Sequence, residues 1–153
     1  MQTDFLHARR DALDDASASR VLTIAAAIVV DGGRLLLVRK RGSRHFMQAG
    51  GKIEPGEAAE AALAREVFEE LGVPIAECEA LGQASATAAN EAGYRVDAHL
   101  YWVTLAGVAR AAAEIEALRW VTLAEAETLT LAALTRETVL PIVAERLAPF
   151  GTP

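Results

Sequence analysis

The chain predicts an α/β fold, a mixed sheet held between helical layers, and three observations carry that expectation. β-rich stretches lie on both sides of one strongly marked helix, glycine-bearing turn signals pair those stretches into hairpins, and an amphipathic helix closes the chain. Its 153 residues, 52% of them hydrophobic, suffice to bury one sizeable core, and no repeat, low-complexity tract or linker divides them. One domain over residues 21–148, preceded by an N-terminal extension of residues 1–20, is therefore expected.

The extension is polar and charged, with Arg9-Arg10 and Asp14-Asp15, and is compatible with a helical arm, a mobile segment or a homodimer contact. It carries no export signal, and the apolar run Val21–Val30 is too short to span a bilayer, so a cytoplasmic location without a membrane partner is expected. That run reads instead as a strand, joined through the turn Asp31-Gly32-Gly33 to a second strand, Arg34–Arg39. The marked helix is bounded by Pro55-Gly56, which break the preceding chain, and by Gly72, which can take the left-handed conformation that ends a helix; Glu57 lies at the favourable end of its dipole. Beyond it, Glu79–Ala88 and Tyr94–Leu105 flank the turn Asn90-Glu91-Ala92-Gly93, and Ala117–Thr122 supplies another short strand. Thr122 can cap a brief helix through Glu127, and Thr135 to Leu147 reads as the closing helix, with Pro141 as a disturbance.

Charge narrows the partners. A formal net charge of −6 argues against wrapping a nucleic-acid polymer and favours a small partner, although a local basic patch can still hold a nucleotide. The single cysteine, Cys78, cannot form an intrachain disulfide and lacks metal-site spacing, so it reads as a small buried hydrophobe.

The chemistry concentrates in the 23 residues from Gly51 to Val73. At about 100° per residue, Glu66, Glu69 and Glu70 share an arc of roughly 100° on one side of the helix. Leu63, Ala64, Val67, Phe68 and Leu71 form an apolar stripe expected to face the sheet, with Glu70 at its border. Like charges at these spacings destabilise a helix, partial burial raises that cost, and a bound cation relieves it. Oxygen donors without histidine or cysteine suit Mg²⁺ or Mn²⁺ rather than zinc. Upstream, Gly50-Gly51 lets a main-chain carbonyl approach such a cation without side-chain interference. A solvated acidic face is the usual fate of a charge run.

Against that plain reading stands the pattern of the whole block. It resembles the Nudix box, G-x5-E-x7-R-E-U-x-E-E-x-G-U with U aliphatic, at all nine specified positions: Gly51, Glu57, Arg65, Glu66, Val67, Glu69, Glu70, Gly72 and Val73. The resemblance implies a Nudix-type α/β/α sandwich with a mixed central sheet. It also implies a Mg²⁺- or Mn²⁺-dependent, MutT-like hydrolase that cleaves a nucleoside diphosphate linked to another moiety.

The same resemblance assigns roles. Glu66, Glu69 and Glu70 would supply most metal ligands, a main-chain carbonyl at Gly50 another, and one glutamate would activate water. Arg65 can pair with Glu69 or reach back to Glu57, orienting carboxylates; a surface ion pair is its plainer reading. Glu114 is the candidate for a further carboxylate outside the box, with Glu116 and a solvated loop as alternatives. Arg39, Lys40, Arg41 and Arg44 gather positive charge ahead of the box, with Arg39 the first choice for a phosphate contact, Arg41 a further substrate-binding candidate, and ordinary solvated loop charge the plainer reading. Phe46 could stack on a base, although an aromatic here more often packs the core.

One departure stands out. Many Nudix proteins carry Pro-Gly-Gly before the box, whereas this chain reads Gln48-Ala49-Gly50-Gly51. The proline that marks many ADP-ribose hydrolases is replaced by Ala89, no tyrosine stands where dinucleoside polyphosphate hydrolases carry one, and Leu134-Thr135-Arg136 occupies the place of the purine-contacting asparagine of oxidised-guanine hydrolases. By elimination a nucleoside triphosphate, cleaved to the monophosphate and pyrophosphate, leads as the substrate. A non-catalytic nucleotide sensor, and hydrolysis of ADP-ribose or dinucleoside polyphosphates, are the alternatives.

Overall fold

Strand β1 (Val21–Asp31) explains the layering. In the computed structural model, which describes residues 20–148, its central residues Ala25–Val29 are all buried, so both faces of the strand are covered. Side chains alternate across a strand, and here the alternation sorts them cleanly. Ala26 and Ile28 join a core with Val139, Leu140 and Val143, whereas Ala25, Ala27 and Val29 join a second core with Ala62, Leu63, Val67 and Leu71. A sheet with a helical layer on each face is the α/β/α arrangement expected from the sequence. Residues 1–19, and with them nearly all of the expected extension, lie outside the described residues.

The sheet is mixed. β1 runs parallel to β6 (Arg95–Leu105), with Val21 opposite Arg95 and Val29 opposite Val103, and β6 pairs antiparallel with β5 (Ile75–Thr87). On its other side β1 pairs antiparallel with β4 (Ala49–Lys52). The hairpin to β2 (Arg34–Lys40) is real but short. Gly32 and Gly33 turn the chain at φ 61° and 78°, two residue pairs form, and β2 then leaves β1 to pair with β3 (Phe46–Met47) and β7 (Ile115–Val121).

Several boundaries differ from expectation for identifiable reasons. β5 begins at Ile75, not Glu79, and accommodates irregularities at Ile75/Glu77 and Ala80/Gly82; an edge strand with one free side tolerates them. β3 and β4 are too short to show a period of their own. The helix expected over Thr135–Leu147 is divided: Thr135–Val139 forms a wide turn in which the Leu140 N–H reaches the Thr135 carbonyl, and helix α3 follows over Leu140–Leu147. Pro141 lacks the N–H that a regular helix needs there, so the proline sits in the first turn of α3. Between β7 and this segment, Thr122 caps helix α2 (Leu123–Ala126) as expected: Thr122 Oγ1 accepts from the Glu125 N–H at 3.1 Å and Glu125 Oε1 accepts from the Thr122 N–H at 2.8 Å.

The marked helix, α1 (Ala59–Leu71), ends where predicted, with Gly72 left-handed at φ 73° and its N–H on the Phe68 carbonyl. Its rotation corrects the expected stripe. The buried residues are Ala62, Leu63, Val67, Glu70 and Leu71, while Ala64 is exposed and Phe68 is 59% exposed. The helix has rolled toward its acidic side, and Glu70 lies within the buried face rather than at its border.

Candidate active site

Why α1 rolls is visible at β4. Glu70 is only 1% exposed, and its Oε1 accepts a hydrogen bond of 3.1 Å from the Gly50 N–H. The other oxygen, Oε2, is buried and has no hydrogen-bond partner among the described residues. An orphaned carboxylate oxygen in the interior is costly. Burial is the main reason the Glu70 carboxyl is pushed up to about 7; the Gly50 N–H and the Lys40 ammonium pull it down, and the charges of Glu66 and Glu114 add to the rise.

Glycine at positions 50 and 51 is a steric requirement. A Cβ on Gly50, whose φ is 146°, would run into the Ala25 carbonyl oxygen of the paired strand. A Cβ on Gly51 would lie 2.5 Å from the Glu66 carboxyl carbon. Glu66 therefore rests directly on bare backbone. Burial raises its carboxyl above the ordinary range, opposed by the bond from Arg65.

Arg65 takes one of its two expected arrangements. Its Nε and Nη2 donate to Glu57 Oε2 and Oε1 at 2.9 and 2.8 Å, a two-pronged pairing, and Nη1 donates to Glu66 Oε2 at 2.9 Å. Nη2 also reaches the Lys52 carbonyl at 3.2 Å. The guanidinium holds Glu57 down to about 2 and ties the start of α1, β4 and Glu66 into one unit. The alternative partner, Glu69, is exposed and takes no part in this network.

The three box glutamates thus face different surroundings: Glu70 the buried β4 backbone, Glu66 the bare Gly51 and Arg65, Glu69 the solvent. Among the described residues no group of three acidic, histidine or cysteine side chains is gathered to hold an ion. The residues nevertheless fit a hard divalent cation. The donors are all oxygens, and Glu70 carries a buried lone oxygen beside Gly50 and Gly51.

The charged residues outside the box fall into two groups. Glu114 lies in the turn immediately before β7, its carboxylate 3.5 Å from Lys40 Nζ and its carbonyl on the Arg41 N–H at 2.8 Å, and its charge is felt at Glu70. Arg39, first choice for a phosphate, is engaged elsewhere: Nη1 donates to Glu116 at 3.0 Å and to the Ser43 carbonyl at 3.1 Å, and the guanidinium lies over Phe46. Arg41 is exposed. Phe46 is packed in the core, 8% exposed, with Arg39 and Arg119 over its ring, so it takes the packing role rather than the base-stacking one.

A cleft lies along β4 on the sheet face opposite α1. Ile24, Ala26, Val96 and Leu134 give it apolar walls, Gln48 and Thr135 polar ones, and Lys40, Lys52 and Gly50-Gly51 line it as well. Arg39, Arg41 and Phe46 do not. The sequence left Lys40 behind Arg39 in rank and gave no sign of Lys52; it marked Gln48 and Thr135 only as places where the chain departs from the family's pattern. β2 is buried on both faces from Leu35 to Val38, and its pairing with β7 slips between Arg39 and Lys40, so parity along the strand could not say which side chain turns toward the cleft.

This geometry has relatives. Residues 20–141 match the NUDIX domain family. Among solved structures, the E. coli ORF135 protein shares 28% identity at a TM-score of 0.64, the match covering 87% of this chain and 96% of that one. The MutT NUDIX hydrolase from Burkholderia pseudomallei shares 25% identity at a TM-score of 0.65, over 84% and 98% of the two chains. The Bacillus subtilis pyrophosphohydrolase, 24% identical with a TM-score of 0.61 over 82% and 80%, shares the fold. No curated protein gives a significant match.

Proposed function

This chain belongs to the Nudix family of hydrolases, and we propose that, of the small nucleotides such pyrophosphohydrolases cleave, it acts with Mg²⁺ or Mn²⁺ on a nucleoside triphosphate, releasing the monophosphate and pyrophosphate. The observation that carries the reading is Glu70: a buried carboxylate with one oxygen on the Gly50 N–H and the other unpartnered, set beside Glu66 on a glycine backbone.

Glu66, Glu69, Glu70 and the Gly50 carbonyl would hold the cation, with Glu114 as a further carboxylate on the neighbouring loop. The chemistry such a cation supplies when bound is neutralisation of the anionic phosphates and acidification of water. The chain's own residues do the rest by position. Arg65 keeps Glu66 against Gly51 and braces it through Glu57, so a carboxylate reaches the site without an entropic search. Lys40 and Lys52, at the cleft lining, offer positive charge to the phosphate chain. Water attacks one phosphorus and passes a proton to one of the box glutamates, the anhydride bond breaks, and the departing phosphate carries the electron pair. No covalent enzyme intermediate is required.

The test is a screen of purified protein against nucleoside triphosphates, dinucleoside polyphosphates and nucleotide sugars, with Mg²⁺ or Mn²⁺ and with EDTA. Release of pyrophosphate from a triphosphate, abolished by EDTA, is the expected result. Turnover confined to ADP-ribose or dinucleoside substrates would replace the substrate assignment. Tight binding without turnover across the panel would replace the hydrolytic reading with a sensor.

A further inference from the structure

Gln48 is the second buried side chain with an orphaned polar atom, and it belongs to neither the acidic group nor the core. It connects β3 to β4 and is 6% exposed. Its Oε1 accepts a hydrogen bond of 2.8 Å from Thr135 Oγ1, and Thr135 is fully buried at the start of the wide turn before α3. Its Nε2 finds no hydrogen-bond partner among the described residues. Both residues line the cleft. A carboxamide has two N–H donors on nitrogen and an acceptor oxygen, so the Thr135 bond consumes the acceptor and leaves the buried donors without a partner in the wall of the cleft.

We infer that Gln48 is a specificity-determining residue of this cleft: its Nε2 donates a hydrogen bond to an exocyclic carbonyl of the substrate's nucleobase, selecting guanine, hypoxanthine or uracil over adenine. The inference rests on the nucleotide reading above and names its substrate class. Ile24, Ala26, Val96 and Leu134 offer a nucleobase apolar walls, and Gly50-Gly51 and Lys40 line the same cleft. Glycine keeps β4 thin where the cleft and the acidic groups approach it from opposite faces. Adenine presents an amino group where the others present oxygen, which sets N–H against N–H. A site built to donate to a substrate oxygen rejects the analogue that lacks it, because the buried donor then stays unpaired.

Binding of the monophosphates of inosine, guanosine, uridine and adenosine to metal-free protein, measured by calorimetry, tests this without any hydrolysis. Wild type should hold at least one carbonyl-bearing nucleotide roughly 10- to 100-fold more tightly than AMP. Gln48→Leu, which keeps the volume and removes the donors, should erase that difference while leaving AMP affinity within a few-fold. Thr135→Val, which frees the amide without removing it, should narrow the difference, and it reads the same contact if Gln48→Leu fails to fold. Equal affinities in wild type, a preference that survives in Gln48→Leu and Thr135→Val, AMP as the tightest ligand, or no binding by any of the four would each overturn the proposal. A base preference without triphosphate turnover would count against the hydrolase reading alone; turnover without a base preference would count against Gln48 alone.

Discussion

At the scale of single residues the site consists of carboxylates made expensive and glycines made obligatory. Glu70→Gln keeps the shape and removes the charge, so cation affinity measured by calorimetry with Mn²⁺ should fall on the order of 100-fold or more, since even groups that only orient ligands cost 10- to 100-fold. The metal-free protein should unfold no earlier than wild type, because a buried charge has gone. Unchanged affinity would remove Glu70 from the ligand set. The two glycines should fail differently. Gly51→Ala pushes only on the Glu66 side chain, so turnover should drop while stability changes little; Gly50→Ala pushes on the Ala25 backbone and should destabilise by on the order of 1–3 kcal/mol in denaturant unfolding. The basic residues divide in the same way. Lys40→Ala should raise KM for a triphosphate, an effect that fades with salt, whereas Arg39→Ala should lower thermal stability with little change in KM, because Arg39 holds Glu116 and the Ser43 carbonyl.

At the scale of elements, α3 is secured to the far edge of the sheet by one exposed assembly. Arg146 donates through both terminal nitrogens to Glu79 of β5, at 3.0 and 2.9 Å, and its guanidinium lies 4.7 Å from the Trp102 ring centre. The bond to Arg146 lowers the Glu79 carboxyl below its ordinary value of 4.5. A depressed carboxyl contributes stability that is present above its unfolded pKa and is lost as pH falls through the folded one. The stability gap between wild type and Glu79→Gln should therefore be open at pH 7 and close as pH drops below about 4.5, read from urea midpoints across that range. A gap constant with pH would show that the charge pairing contributes nothing. The wide turn ahead of α3 answers to a different cause: Pro141 denies the regular bond, and the turn it leaves brings Thr135 against Gln48.

At the scale of the whole molecule, the cation and the fold are coupled through Glu70. A ligand that binds only the folded chain stabilises it by RT ln(1 + [L]/Kd), about 2.7 kcal/mol at a hundred times Kd. At about 2–4 °C per kcal/mol for a chain of this size, the thermal midpoint should rise by roughly 5–11 °C at that concentration of Mg²⁺ or Mn²⁺. Glu70→Gln should lose the rise. A midpoint indifferent to divalent ions in wild type would separate the acidic group from metal binding. The described residues contain no helix long and apolar enough to cross a membrane.

Much of this was legible in the chain before any coordinates. Local signals acted locally: Gly32-Gly33 turned a hairpin, Thr122 and Glu125 capped a helix, Gly72 ended another, and the spacing from Gly51 to Val73 placed three glutamates on one side of α1 and carried the family. What only the tertiary structure decided depends on contacts between distant segments. The roll of α1 was set by Glu70 seeking the Gly50 N–H, 20 residues back, and it left Phe68 in solvent against the apolar pattern. Arg39 and Lys40 are neighbours in sequence, yet from more than 70 residues on β7 supplies Glu116 to one and the turn just before it supplies Glu114 to the other. Gln48 reads as an ordinary loop residue until Thr135, 87 positions away, takes its oxygen. Periodicity reports which face a residue shares; which partner waits on that face is a property of the fold, because burial turns an unmatched donor or acceptor into the dominant local cost.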